Sequence, residues 1–252
     1  MSLDVVVVNY RTTELLNKFV KSYEDHKFAG CELFVVDVDP LEVWEPTADC
    51  TYLPLTSNTG YGYACNLGAS KGSNDVILLA NSDTELSDGL SECRDALLSN
   101  DGWGCLGPRQ VNHQGRISYA GTMDTPTGSF DRGWQETDQG QYQDVVENCP
   151  YVQGSLFFVK RPVWETLTDC PIWHDHSGGA QGAFLESPHY YEETWCCYHM
   201  RHHGWDSVYY GLVTMTHRWH ESSPLGGWAD DQVSWSREVY RAACRAHNIT
   251  SE

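Results

Sequence analysis

Five residues, Asn81-Ser82-Asp83-Thr84-Glu85, follow an apolar run from Val76 to Ala80. A run of that length bounded by turn formers predicts a buried strand. Its C-terminal end then presents two carboxylates at a sheet edge, which in open α/β sheets is where ligands bind. A carboxylate there can hold a hard divalent cation, and the cation can hold a diphosphate. Other groupings also have spacings that could do chemistry. Glu192 and Glu193 adjoin at the start of a predicted helix, where acids also simply complement the helix dipole. His199 and His203 stand four residues apart, with His202 beside them. That spacing could make a zinc site, but a solvated helix face is its commoner meaning. His217 closes a predicted strand and His220 follows three residues on. Arg237, Arg241 and Arg245 form a row at four-residue spacing, either solvated or attractive to an anionic acceptor.

The elements that must position these groups alternate. Val5 to Val8 is a β-branched run and predicts a buried strand ending at Asn9-Tyr10-Arg11. Leu15, Leu16, Phe19, Val20 and Tyr23 recur at helical spacing after Thr12-Thr13, candidate N-caps. Leu33 to Val36 predicts a second strand ending at Asp37, and Thr51 to Leu55 a short third. Asn58 to Gly62 reads as a turn-rich loop and Ala64 to Lys71 as a helix. After the Val76–Ala80 strand, Leu90, Cys93, Leu97 and Leu98 predict a helix capped by Ser87. Short links between alternating strands and helices imply a mostly parallel central sheet. Parallel strands point their C-termini one way, so Asn9, Asp37 and Asp83 are expected to converge on a nucleotide pocket. Residues 107–150 are rich in Gly, Gln, Asp and Thr and read as loops and short strands. Tyr151 to Val159 predicts a strand with Gly154 inside it, a mark of close approach by a ligand. Pro162 suits the first turn of a helix. Residues 171–188, with His174 and His176, read as a lid. Tyr190 to His203 predicts a helix, Ser207 to Thr216 a strand, and Asp230 to His247 a helical tail. Without repeats or linkers, the 252 residues are expected to form one domain.

Composition narrows the function. The chain carries 35 acidic and 16 basic residues, a net charge of −19. A nucleic-acid or anionic-membrane partner would need a cationic face, so both are disfavoured. Ten cysteines are scattered without a C-x-x-C pair, which argues against a zinc ribbon or thioredoxin motif. No apolar run approaches the roughly 20 residues of a membrane helix, and the N-terminus has no signal-like segment. These features predict a cytoplasmic protein with reduced thiols. Nothing in them opposes a homodimer.

Several segments, taken in order, resemble one family, the family 2 glycosyltransferases of the GT-A fold, and especially their rhamnosyltransferase-like branch. Val7-Val8-Asn9-Tyr10 resembles the family's first strand and its nucleotide-contacting end. Val35-Val36-Asp37 is similar to its second strand, whose Asp contacts base or ribose. The stretch from Asn58 through Gly60, Tyr61 and Asn66 to Gly68 resembles its Asn-x-Gly loop and following helix. Leu78 to Thr84 resembles its D-x-D element in the N-x-D-T form, and Val152 to Ser155, containing Gly154, its sugar-side strand. Tyr190-Tyr191-Glu192-Glu193 resembles its Y-F-E-D motif, with Glu193 where Asp is usual. Arg201 to Trp205 and Val208 to His217 resemble its helix end and its closing strand with a metal-binding His.

The resemblance implies a single Rossmann-like GT-A domain. Residues 1–106 would form the nucleotide-binding half, 107–220 the sugar and acceptor half, and 221–252 a helical tail. It implies inverting, metal-dependent transfer of a sugar from a UDP- or dTDP-sugar to a hydroxyl of a glycan, protein or small molecule. Asp83 with His217 or His220 would hold Mn²⁺ or Mg²⁺. An imidazole in an otherwise oxygen-ligand site favours Mn²⁺. Glu193, or Glu192, would be the general base. Asn9, Tyr10, Arg11, Asp37, Asn58, Gly60, Tyr61, Asn66, Asn81, Ser82 and Gly154 would contact the nucleotide sugar. Trp103, Trp134, Trp173, Trp219 and Trp228 are candidates to stack on sugars. Rival readings are a nucleotidyltransferase, which is expected to carry a Gly-rich basic loop that Asn9-Tyr10-Arg11-Thr12 lacks, and a non-catalytic nucleotide-sugar-binding module.

Overall fold

Two hydrophobic layers sandwich one sheet, and the alternation of apolar residues along its strands builds both. The structure, a computed structural model, describes residues 2–125, 128–170, 182–187, 190–218 and 230–246. In β1 (Leu3–Tyr10), Val6 and Val8 face one layer while Leu3, Val5 and Val7 face the other. β2 (Cys31–Val38) and β4 (Val76–Asn81) divide in the same way. Such two-sided burial is why these strands read as unbroken apolar runs.

α1 (Thr13–His26) and α3 (Leu90–Leu98) cover one face of the sheet. α2 (Tyr61–Ala69), α4 (Arg161–Thr168) and α5 (Glu192–His202) cover the other. β3 (Thr51–Leu55) lies at the edge and carries Pro54, which an edge strand tolerates. Beyond β4 the sheet continues through β11 (Leu156–Lys160), β6 (Trp103–Val111), β12 (Asp206–His217) and β10 (Val146–Asn148). β3, β2, β1 and β4 are mutually parallel. β11 is inserted antiparallel between β4 and β6, and β6 with β12 resumes the parallel direction. Short β5 (Thr84–Glu85) and β7 (Ile117–Tyr119) join β12 and β6 to make ten strands. β8 (Thr122–Thr125) and β9 (Gly128–Asp131) form a separate hairpin. α6 (Asp230–Ala246) packs on α5 through Tyr240, Ala243, Cys244 and Trp195.

Several sequence expectations need correction. β6 runs across residue 106, so the two halves expected to meet there share that strand. The Tyr151–Val159 strand begins only at Leu156, and Gly154 sits in the turn before it. α2 starts at Tyr61, three residues before Ala64. Gly89, not Ser87, occupies the N-cap of α3. His199 is fully buried rather than on a solvated face, because α5 is covered on both sides. Trp103, partly buried, packs edge-on to Tyr210 against the core, 6.4 Å between ring centroids. Arg237 donates its Nε–H to the Tyr191 hydroxyl at 2.9 Å. No helix among the described residues is long and apolar enough to cross a membrane.

Asn66 shows how the fold uses a polar side chain internally. Its Nδ2 donates to Phe184 O at 2.9 Å and its Oδ1 accepts the Phe184 N–H at 3.1 Å. This reciprocal pair pins the buried segment 182–185 against α2. Asn66→Ala removes both of these hydrogen bonds to Phe184, at about 2–3 kcal/mol. It is expected to lower Tm by on the order of 5–10 °C, measurable by differential scanning calorimetry.

Candidate active site

β5 assembles the first corner. The chain leaves β4 at Asn81, passes Ser82 and Asp83, and returns as β5 antiparallel to β12, with Thr84 opposite His217 and Glu85 opposite Thr216. Arg218 N–H donates to Asp83 O at 2.8 Å, and Arg218 Nε donates to Glu85 Oε1 at 2.7 Å. Glu85 is therefore the ion-pair partner of Arg218. The pairing sets Asp83 Oδ1 3.6 Å from His217 Nε2, both residues buried. That separation is too long for a hydrogen bond. It fits two donors sharing one divalent ion at about 2 Å each, and carboxylate with imidazole is a donor set Mn²⁺ accepts.

Asp83 and His217 line a cavity of 360 Å³ at the C-terminal edge of the sheet, within the range of small-ligand sites. Four carboxylates reach it, from Asp83, Asp131, Glu192 and Glu193, and among the described residues no Lys or Arg lines it. Tyr10, Val38, Asn58 and Gly60 form one end, and Trp134, Tyr151 and Tyr190 contribute aromatic wall.

The start of α5 supplies the second corner, and its backbone is strained. Tyr190 and Tyr191 both adopt left-handed conformations, φ +71° and +74°, each costing about 1–2 kcal/mol for a residue with a Cβ. Such strain persists only where the surroundings enforce it. The enforcing contacts are the Ser187 hydroxyl on Tyr190 O at 2.9 Å, the Tyr191 ring stacked on Tyr240 at 5.2 Å, and Arg237 on the Tyr191 hydroxyl. The turn aims both glutamates inward. Glu192 is 1 % exposed and packs against Gly62, where a Cβ would lie 2.3 Å from Leu185 O. Burial, then the neighbouring Glu193 charge, pushes its carboxyl well above the usual range, so it holds its proton. Glu193 stands beside Gly154 and Tyr61. Burial and, behind it, the charge of Asp131 push its pKa up to about 7. Tyr61 donates its hydroxyl to Gly154 O at 2.7 Å, fixing that turn.

Among the sequence candidates, Tyr10, Asn58, Gly60, Tyr61, Asn81, Ser82, Asp83, Gly154, Glu192, Glu193, His217 and Trp134 line the cavity. Asn9, Arg11, Asp37 and Asn66 do not. Asn9 Nδ2 donates to Asp37 Oδ1 at 2.8 Å, and the Tyr52 hydroxyl donates to Asp37 Oδ2 at 2.8 Å. Asn9 Oδ1 also accepts from Thr12, whose Oγ1 lies 3.1 Å from Ser82 Oγ. The strand ends thus converge on one another, as a buried network beneath the cavity floor. Arg11 is engaged with Asp39. His220, His174, His176, Trp173, Trp219, Trp228 and most of the 171–188 lid lie outside the described residues.

Asp131 and Tyr151 escaped sequence reading. Asp131 ends β9, accepts from Gln153 Nε2 at 2.8 Å, and has its carboxyl pushed up by burial. It belongs to a segment without periodicity, where no local signal marks it.

Gly154 offers a direct probe of the cavity. A Cβ there would meet Tyr61 Cε1 and Glu193 Oε2 at 3.6 Å, an ordinary contact. Gly154→Ala is expected to fold with Tm unchanged within about 2 °C. The methyl intrudes on the space beside Glu193, so substrate KM should rise about tenfold, read from initial rates.

No protein-family model and no curated protein matches the sequence. Solved structures match it across the whole fold. A Pyrobaculum calidifontis mannosyltransferase, PcManGT, solved with GDP-Man and Mn²⁺, aligns at TM-score 0.57 and 13% identity over 99% of this chain and 76% of its own. S. aureus TarS residues 1–349, in complex with UDP-GlcNAc, aligns at 0.64 and 12% over 100% and 68%. GalNAc-T7, with UDP, GalNAc and Mn²⁺, aligns at 0.65 and 14% over 99% and 55%. The chain has the GT-A fold that these glycosyltransferases share.

Proposed function

We propose that this chain is a divalent-metal-dependent, inverting glycosyltransferase that moves a sugar from a UDP- or dTDP-sugar to an acceptor hydroxyl. The observation that carries this reading is the charge of the cavity. Four carboxyl groups, Asp83 of the Asp83–His217 pair among them, and no Lys or Arg among the described residues line it. A diphosphate entering such a cavity would meet no Lys or Arg to offset its charge unless a cation came with it. The ligands named for the fold neighbours, nucleotide sugars and Mn²⁺, support the same reading, and the order of the sequence motifs favours the family 2 branch.

Asp83 and His217 Nε2 would hold Mn²⁺ or Mg²⁺. When bound, that ion would offset the charge growing on the departing diphosphate. The protein's own groups do the rest. Tyr10, Val38, Asn58 and Gly60 offer a slot for the base, and Trp134 and Tyr151 offer faces for sugar rings. Glu193 accepts the proton of the acceptor hydroxyl while that hydroxyl's oxygen bonds the anomeric carbon and the bond from that carbon to the diphosphate oxygen breaks, releasing the nucleoside diphosphate. A base across the sugar from the leaving group implies one in-line displacement and hence inversion. With a pKa of about 7, Glu193 matches this task near neutrality. A non-catalytic binding module would have no use for two costly buried carboxylates. A nucleotidyltransferase would release pyrophosphate from a nucleoside triphosphate.

The test is a panel of UDP-, dTDP- and GDP-sugars, with and without Mn²⁺, read by thermal shift and by release of nucleoside diphosphate. A Mn²⁺-dependent rise in Tm with at least one donor, and slow donor hydrolysis, are expected. A flat panel, or pyrophosphate release from a nucleoside triphosphate, would refute the proposal.

A further inference from the structure

The far end of α5 carries a second cluster of metal-ligating groups, which the glycosyl-transfer reading does not use. His199 and His203 lie one turn apart on the same side of the helix, with ring centroids 5.2 Å apart. Cys170 reaches the same point from the turn that ends α4, where its N–H donates to Leu167 O at 3.2 Å. The thiol sulfur and one nitrogen of each imidazole all lie within 4.8 Å of one another. Cys170 and His199 are buried and His203 is exposed, so two donors are anchored in the protein and the third closes the cluster from the solvent side.

We infer that Cys170, His199 and His203 form a zinc site. One thiolate and two imidazoles make a soft-to-borderline donor set that selects Zn²⁺ over Mg²⁺ or Mn²⁺. The Asp83–His217 corner contains no sulfur, so the two sites prefer different ions. They are also apart. Glu193 and His203 stand ten positions from each other along α5, about 15 Å at 1.5 Å per residue, and none of the three donors lines the cavity. The site ties the C-terminal end of α5 to α4 and completes from the other end the anchoring of the helix whose first turn carries Glu192 and Glu193. It does not depend on the identity of the reaction.

The test uses the full chain, reduced and stripped with a chelator, titrated with Co²⁺ as a spectroscopic substitute for Zn²⁺. One equivalent of Co²⁺ should produce thiolate-to-cobalt charge-transfer absorption with the visible bands of a tetrahedral ion, and Zn²⁺ should bleach both. Cys170→Ser should abolish the charge-transfer band. His203→Ala, at an exposed position that leaves folding intact, should weaken Co²⁺ and Zn²⁺ by more than about tenfold. Zn²⁺ at about 100 times its Kd should raise Tm by roughly 5–10 °C in the wild type and not in Cys170→Ser. Asp83→Ala should keep the band. A wild-type titration without the band, or a band that survives unchanged in Cys170→Ser and His203→Ala, overturns the inference.

Discussion

Asp83→Ala protein is expected to fold and to lose Mn²⁺-dependent turnover of its nucleotide sugar by about 10³-fold or more, because charge stabilisation of the leaving group is worth several kcal/mol. The physical ground is local. Asp83 and His217 are held 3.6 Å apart by the β5–β12 pairing, not by a bond to each other. Removing the carboxylate therefore leaves the β5 ladder and the Arg218–Glu85 pair intact. It also takes one negative charge out of a cavity lined by four carboxylates, so without metal the Tm should hold or rise. The Mn²⁺-dependent part of the thermal shift should disappear along with turnover. Nucleotide release measured against Mn²⁺ concentration checks this, and unchanged metal dependence in the variant would contradict it. Glu85→Ala is the control. It breaks the Arg218 pair and should cost far less.

Glu193→Gln should lower kcat by about 10²–10⁴-fold, the usual range for a positioned general base, while making the protein more stable above neutral pH. The sign follows from the protons. The Glu193 carboxyl titrates near 4.5 in the unfolded chain and at about 7 in the fold. Between those values the native state keeps a proton that the unfolded state has lost, so stability falls as pH rises through that window and is flat above it. Glutamine does not titrate. The Tm advantage of the variant should open from about pH 4.5 and saturate above about 7, at roughly 2–4 °C for each kcal/mol. Wild-type kcat should rise with pH through about 7 as the carboxylate forms, and the residual activity of the variant should lack that limb. Glu192→Gln is the discriminating partner. Glu192 is held protonated by burial and by its neighbour, so glutamine replaces a neutral acid with a neutral amide and should spare most of kcat. The reverse ranking of the two variants would assign the base to Glu192.

The Tyr190–Tyr191 turn explains why these carboxylates tolerate such an environment. Two left-handed tyrosines would not persist in an isolated peptide. Here Ser187 holds one and α6 holds the other through Tyr240 and Arg237. The tail helix, legible in the sequence only as a helical stretch with an arginine row, thereby braces the candidate catalytic turn from outside the sheet.

What the residues of this chain determine locally is its periodic architecture. Val5–Val8, Leu33–Val36 and Val76–Ala80 are apolar without interruption because both faces of each strand are buried, and such runs can be read one segment at a time. Asp83 at the end of β4 was legible for the same reason, as a polar residue placed where a predicted strand stops, whereas Glu192–Glu193 at the head of α5 stood out only through the resemblance of Tyr190–Glu193 to a family motif. Tertiary structure decided what no local pattern encodes. Asn9 and Asp37 converge as expected, but parallel register brings them into hydrogen bonds with each other, so their polar groups are spent inside the fold. Asn66 is spent in the same way on Phe184. Asp131 reaches Glu193 through a hairpin whose sequence has no periodicity. His217 meets Asp83 across 134 positions of chain, because a two-residue strand turns back onto β12. A pairing that short leaves no hydrophobic pattern to read, and its partner is chosen only once the sheet has formed.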